Sequence, residues 1–292
     1  MTKIIAIANQ KGGVGKTTTC VNLAASLAAT KRKILVIDLD PQGNTTMGSG
    51  VDKYKVEYTV YDLLIDEIPL DKVMETETTG NYHLVAANYD VTAAEVKLMS
   101  LFAREMRLHN ALENYKDNYD YILIDCPPSL NTLTVNAMAA ADSVLIPIQC
   151  EYYALEGLTA LLDTIKKLSL YVNKKIKIEG ILRTMYDPRN RLSSDVSDQL
   201  KEHFGERIYR TIIPRNIRLA EAPSFGKPVM YYDKASTGAK AYLALAGEIL
   251  RREDNVDIDI DIEKEVINRI KKVTEKAKAK EKAKEKEKEK VE

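Results

Sequence analysis

A short apolar run, Ile4-Ile5-Ala6-Ile7-Ala8, leads directly into Asn9-Gln10-Lys11-Gly12-Gly13-Val14-Gly15-Lys16-Thr17-Thr18, and a helical pattern follows at once from Thr17 to Ala29. No other stretch constrains the fold as strongly. Glycines at 12, 13 and 15 let the backbone curl so that its N–H groups face inward, and the new helix adds its positive N-terminal end, so the turn is a nest for phosphate oxygens. Lys16 is then spaced to reach the β- and γ-phosphates of a nucleotide, the Thr17 hydroxyl to ligate Mg²⁺, and Thr18 to contact the α-phosphate. The common GxxxxGK[ST] pattern is not met, because Gln10 occupies its first glycine position and a second lysine, Lys11, opens the loop.

The same strand-helix alternation continues. Apolar, β-branched runs at Ile34 to Asp38, Tyr82 to Ala86, Tyr121 to Asp125, Ser143 to Ile148, Lys177 to Leu182 and Tyr209 to Ile213 read as strands. Helical patterns near Thr92 to Tyr115, Asn131 to Ala140, Leu155 to Tyr171 and Ser193 to Phe204 separate most of them. This predicts an α/β fold, a mostly parallel twisted sheet with helices on both faces. Pro41 to Tyr58, polar and rich in Gly and Thr, is expected to be a loop over the carboxyl ends of the strands, where such sheets place ligands.

A last helix is expected from Gly238 to Arg252, which sets the folded domain at 1–252. Beyond it an acidic stretch and a Lys/Glu repeat form a charged tail, 253–292, expected to be largely disordered, with Val266, Ile267, Ile270 and Val273 at helical spacing as a short element that could dock. With 45% hydrophobic and 29% charged residues the chain can bury a core. Lys+Arg and Asp+Glu balance at 43 each, which argues against a uniformly basic nucleic-acid binder but leaves room for charge segregated onto one face. Three Cys and three His show no metal-binding spacing, and sparse Cys suits a reducing compartment. The apolar start is too short for a signal peptide, and the most apolar later stretch is broken by Asn136 and Asp142, so a cytoplasmic protein without membrane attachment is expected.

Two strands deliver acids at their carboxyl ends. Ile34-Leu35-Val36-Ile37-Asp38-Leu39-Asp40 precedes Pro41-Gln42-Gly43-Asn44, and Tyr121-Ile122-Leu123-Ile124-Asp125 precedes Cys126-Pro127-Pro128-Ser129. Carboxylates at that edge can hold Mg²⁺ or its water, so Asp40 and Asp125 join Thr17 as metal-site candidates. Alternation along an extended strand puts Asp38 and Asp40 on one face without saying which is nearer the attacking water. No NKxD sequence for reading guanine is present, since Asn173-Lys174-Lys175-Ile176 lacks the closing Asp, and adenine is favoured.

The loop Lys11-Gly12-Gly13-Val14-Gly15-Lys16-Thr17 resembles the deviant Walker A motif, KGGxGK[ST], of the ParA/MinD group of P-loop ATPases, and the DxDPQGN and DCPPSL stretches resemble its two switches. The blocks Gly180 to Asp187, Ile212 to Asn216 and Glu221 to Pro228 are similar to the chromosomal ParA/Soj branch, with the resemblance running from about Lys3 to Leu250. It implies an ATPase using ATP and Mg²⁺, with Lys11, Lys16 and Asp40 catalytic, Lys11 reaching a partner's nucleotide across a dimer, and Asp125 organising the magnesium shell. Asp38 is left as a structural or magnesium-linked partner. The resemblance places the base near Thr184-Met185 and Ile213-Pro214-Arg215-Asn216, which makes Met185, Pro214 and Asn216 contacts. It further implies a homodimer when ATP is bound, non-specific binding of double-stranded DNA, nucleoid association in that state, and hydrolysis stimulated by a ParB-type partner.

Arg183, Arg189, Arg191, Arg210, Arg215, Arg218 and Lys227 supply a basic excess in the last third of the domain, and the family places DNA-binding arginines at Arg189 and Arg218. A MinD-like membrane positioner needs bulky apolar residues in a C-terminal helix, which Lys276 to Glu292 lacks. An iron–sulfur carrier needs cluster cysteines, and Cys126 is not in such a sequence; a tyrosine kinase of this group needs tail tyrosines, and there are none. ParA-group positioning of another cargo, and a nucleotide-gated DNA-binding regulator, stand as the alternatives to chromosome or plasmid segregation.

Overall fold

Eight strands form one sheet in the order β3-β4-β2-β5-β1-β6-β7-β8 in the computed structural model, which describes residues 2–151 and 154–253. The strands are β1 Lys3–Ile7, β2 Ile34–Asp38, β3 Met74–Glu75, β4 His83–Val85, β5 Tyr121–Asp125, β6 Ser143–Gln149, β7 Lys177–Tyr186 and β8 Ile208–Pro214. All neighbouring pairs are parallel except β3 with β4. The two runs of unbroken apolar character, β2 and β5, are buried at every position, as expected of strands covered on both faces. The expected tail and its docking element lie outside the described residues.

Alternation on β1 sorts the core into two layers. Ile4, Ala6 and Ala8 pack with Leu133, Ala137, Leu158 and Leu161, while Ile5 and Ile7 pack with Leu23, Leu27, Tyr242 and Leu245. Helices Thr132–Ala140 and Ala154–Tyr171 therefore cover one face, and Lys16–Ala28 and Thr237–Glu253 the other. The expected sheet with helices on both faces is the observed one.

Three local expectations are corrected. Pro41 to Tyr58 is not all loop, because Asn44–Gly48 forms a helical turn fastened to the sheet by its own threonines. The long helical pattern from Thr92 to Tyr115 is two helices, Val91–Leu98 and Arg107–Leu112, interrupted where Ala103 adopts a left-handed backbone with φ 49°. Strand β7 continues through Tyr186, past the expected end at Leu182, because it pairs with β6 as far as Thr184 and with β8 as far as Pro214.

Candidate nucleotide site

The register of the central strands assembles the site. Ile7, the last residue of β1 before the glycine-rich loop, is paired with Asp125, and Asp125 is paired on its other side with Asp38. The loop thus rises beside two carboxylates at the carboxyl edge, next to where the order reverses from β5 to β6 around β1. Gly13 and Gly15 take φ of 72° and 88°, a region that side chains rarely adopt, and Gly15 opens helix Lys16–Ala28. The helix therefore starts without a side-chain cap, which leaves its first N–H groups for a ligand. Asn9 supports the loop from below, its amide donating to Pro147 O at 2.7 Å and its carbonyl accepting from Lys11 N at 3.0 Å. Thr184 on β7 braces it from the side by donating to Val14 O at 2.7 Å.

The two lysines have different surroundings. Lys16 is buried, donates to the Lys11 carbonyl at 3.2 Å, and has its pKa lowered by burial against the attraction of Asp125 and Asp40. Lys11 is half-exposed and pairs with Glu151, two residues past the end of β6, 2.5 Å away. An incoming phosphate would relieve the desolvated Lys16 ammonium, whereas Lys11 already has its charge met at the surface.

Asp125 Oδ2 accepts from Thr17 Oγ1 at 2.8 Å and from Thr45 Oγ1 at 2.7 Å, while its Oδ1 is buried with no hydrogen-bond partner. Burial raises its pKa, and the Asp40 charge adds to the effect while the two threonine hydroxyls oppose it. A buried carboxylate oxygen facing no donor, beside a threonine hydroxyl at a phosphate nest, fits a magnesium ion or its bound water. Thr17 and Asp125 are thus the residues suited to that ion, whose chemistry would be to neutralise charge between β- and γ-phosphate oxygens.

Asp38 is fully buried and committed to structure: Oδ2 accepts from Thr46 N at 2.9 Å and Thr46 Oγ1 at 2.8 Å, and Oδ1 from Asp40 N at 3.1 Å. Burial, reinforced by Asp125, raises its pKa. Asp40 is only partly buried, and its carboxylate accepts from Gln42 N at 3.0 Å. Asp38 thus spends both carboxylate oxygens on hydrogen bonds within the fold, and Asp40 is the less enclosed of the two acids. Thr45 and Thr46 are functional residues that no motif in the sequence marks. Each holds one of the buried acids, and two hydroxyls directly after a turn following Asp-Pro-Gln-Gly-Asn were the available signal.

Met185 and Asn216 lie at the carboxyl ends of β7 and β8, on the same edge as the loop, and Pro214 ends β8. Met185 has a left-handed φ of 48°, and its sulfur accepts from Gln149 Nε2 at 3.2 Å. Asn216 donates to Thr237 Oγ1 at 2.9 Å and keeps a buried Oδ1 without a partner. Of the expected basic patch, Arg189, Arg191, Arg210, Arg215, Arg218 and Lys227 are exposed. Arg183 is not part of it: only 3% exposed, it donates to Ser197 Oγ at 2.9 Å and Tyr209 O at 2.9 Å, tying β7 to helix Arg191–Phe204 and β8. Arg189 is bidentate on Asp187, at 2.9 and 2.8 Å, and Arg218 pairs with Glu221 at 2.7 Å and Asp233 at 3.3 Å. No helix among the described residues is long and apolar enough to cross a membrane.

Residues 2–178 match the family described as AAA domain. Over 249 residues the chain is 51% identical to the sporulation initiation inhibitor protein Soj of Bacillus subtilis, covering 85% of this chain and 98% of that protein. It is 49% identical over 254 residues to the chromosome partitioning protein ParA of Caulobacter vibrioides, covering 86% and 95%. Among solved structures, cobyrinic acid a,c-diamide synthase from Mycobacterium smegmatis with bound ADP and magnesium superposes with a TM-score of 0.77 at 34% identity, covering 87% of this chain and 96% of that one. The cell division ATPase MinD of Pyrococcus furiosus superposes with a TM-score of 0.71 at 26% identity, covering 86% and 99%. With a deviant phosphate loop set beside two strand-end acids, and with 51% identity to Soj over 249 aligned residues, the chain belongs to the ParA/Soj chromosome-partitioning ATPases of the ParA/MinD group.

Proposed function

We propose that this ATPase works as a nucleotide-gated DNA clamp: ATP and Mg²⁺ close two copies into a dimer, the dimer binds double-stranded DNA without sequence preference, and a ParB-type partner stimulates hydrolysis and release, driving segregation of a chromosome or plasmid. The observation that carries this reading is the split between the two lysines, Lys16 buried within its own loop and Lys11 half-exposed at its rim. A lysine on the rim can be offered to a second copy's phosphates. Because a phosphate-laden face repels its twin, a cation supplied in trans stabilises closure only when nucleotide is present.

Several features support the residue roles. Lys11, Gly12, Gly13, Val14, Gly15, Lys16, Thr17 and Thr18 form the phosphate cradle, with Lys16 on the γ-phosphate side and Thr17 and Asp125 toward magnesium. The orphaned Asp125 Oδ1 favours the magnesium role for that residue over Asp40, which is better placed to orient the attacking water. Asn216 offers a buried acceptor, which suits the exocyclic amine of adenine and not the carbonyl that guanine carries there; Met185 and Pro214 flank the same edge. Soj and ParA relatives carry chromosome-partitioning names, which favours segregation over positioning of another cargo.

Turnover with and without DNA and a ParB-type protein tests the reading, alongside three variants. Lys16→Ala should abolish ATP-dependent DNA binding. Asp40→Ala should keep ATP-dependent DNA binding while turnover disappears. Lys11→Ala should bind nucleotide as a monomer. Should Lys16→Ala retain ATP-dependent DNA binding, the phosphate-loop account is wrong.

A further inference from the structure

The helical turn that holds the buried acids is linked, through a threonine bridge and a close backbone contact, to the segment that carries Arg218. Helix Asn44–Gly48 senses the site through Thr45 on Asp125 and Thr46 on Asp38. Its last turn is stitched to the next residues by Ser49, whose N–H and Oγ both donate to Thr45 O, at 3.0 and 2.7 Å. On the far side, Thr79 makes a two-pronged bridge. Its N–H donates to Ser49 O at 2.9 Å, and its hydroxyl lies 2.9 Å from that same carbonyl and 2.6 Å from Gly226 O. A hydroxyl has one proton, and Ser49 O is already served by the N–H, so the proton goes to Gly226.

Gly226 closes the turn Ala222–Phe225, which directly follows helix Ile217–Glu221 and its Arg218. Around the bridge, two backbones meet face to face. Gly50 and Gly226 have left-handed φ of 85° and 58°. A Cβ on Gly226 would lie 3.0 Å from Gly50 Cα, and one on Gly50 would lie 3.0 Å from Gly226 O and 2.5 Å from Thr79 Cγ2. Backbone packed on backbone cannot yield as a long side chain can, so a shift of one segment is passed to the other. Two further contacts hold the arginine segment as a unit beside this junction: Asn81 Nδ2 donates to the Tyr231 hydroxyl at 2.9 Å, and Phe225 stacks on Tyr232 at 4.9 Å.

We propose that Thr79 is a positioning residue that couples nucleotide occupancy to the pose of the 217–232 segment, so that the state of the acids at Asp38 and Asp125 sets how Arg218 is presented to DNA. This rests on the DNA-binding reading above and names its regulation. Thr79 touches neither nucleotide nor DNA in this scheme; it acts through the Gly50–Gly226 junction.

The test uses the full chain and a mixed-sequence duplex, with affinity measured in ADP and in a non-hydrolysable ATP analogue; the ratio of the two affinities reads the coupling. In Thr79→Val, which keeps shape and loses the donor, the ratio should fall roughly three- to tenfold, the worth of one neutral hydrogen bond. Turnover without DNA should stay near that of the wild type, and Thr79→Ser, which keeps the hydroxyl, should restore the ratio. A Thr79→Val ratio equal to that of the wild type overturns the coupling. Should Thr79→Val fail to fold by circular dichroism, Tyr231→Phe carries the test: a lowered ratio supports the junction and an unchanged one overturns it. A wild type with equal affinity in both nucleotides overturns the DNA reading itself, a result distinct from a wild type that discriminates and a Thr79→Val that discriminates equally well.

Discussion

Asp125 shows how one buried carboxylate can be both a structural anchor and an open ligand. One of its oxygens is saturated by Thr17 and Thr45, and the other faces no donor at all. Burying an ionised group in this half-satisfied way is unfavourable, which is why its pKa rises, and the cost is relieved when a cation or its water arrives. Thr45→Val would keep the shape and remove one of the two donors, leaving more of the charge unmet. We expect a loss of about 1–3 kcal/mol in unfolding free energy without nucleotide, measured by urea denaturation. That loss should shrink in Mg²⁺ and ATP analogue, because the ligand-bound state supplies the missing partner. An equal loss in both conditions would mean that Thr45 is only a packing residue. The thiols follow the same logic of burial: Cys20, Cys126 and Cys150 are all buried with pKa values raised by desolvation. Alkylating reagents should label them at the rate of unfolding, in contrast to an exposed control thiol.

At the scale of elements, the short helix Asn44–Gly48 decides how the site is organised, and it was the element least visible in the sequence. Strands β2 and β5 were legible to the residue because five apolar or acidic residues buried on both faces leave no ambiguity of period. The phosphate loop was legible because glycine and lysine at fixed spacing have few other uses. By contrast, Asn44-Thr45-Thr46-Met47-Gly48 has weak helix propensity and no apolar stripe, and it is helical because Thr45 and Thr46 bond to acids on β5 and β2. Tertiary partners of that kind cannot be read from composition. Arg183 illustrates a related point: grouped with the other arginines of the last third it suggests surface, yet it lies in the stretch of β7 that is buried at every position, and its guanidinium donates to Ser197 and the Tyr209 carbonyl. The helix also has a demanding entry. Gly43, with φ 60°, leaves no room for a side chain, since a Cβ there would stand 2.5 Å from Ala87 O and 2.8 Å from Lys53 Cδ. Gly43→Ala should therefore cost about 2 kcal/mol or more and displace Thr45 and Thr46. The check is a lowered melting midpoint together with weakened magnesium-dependent nucleotide binding, and a variant that melts like the wild type would contradict the packing.

At the scale of the whole molecule, DNA binding by a protein of zero formal net charge requires charge placed on one side and doubled by dimerisation. Gly12 separates the two steps. A Cβ there meets nothing within 4 Å and its backbone lies outside the left-handed region, so Gly12→Val should leave a monomer able to bind nucleotide while obstructing the face that carries Lys11. Sedimentation with an ATP analogue should then find a dimer for the wild type and a monomer for the variant. DNA affinity should be lost together with dimerisation in the variant, because each phosphate contact is weak alone. If roughly six phosphates are neutralised by the paired arginine segments, log affinity should decline with log salt at a slope of about −5. Arg189 and Arg218 enter this count with a handicap, since each is already paired within its own chain, to Asp187 and to Glu221 and Asp233. Exchanging an exposed ion pair for a phosphate contact changes little in direct energy, so their contribution should come mainly from counterion release and should appear in the slope. Arg189→Glu is thus expected to make the slope shallower by about one or more per arginine lost, with the nucleotide-dependent dimer intact by sedimentation. An unchanged slope would remove Arg189 from the DNA surface and shift the burden to the exposed Arg191, Arg210 and Arg215.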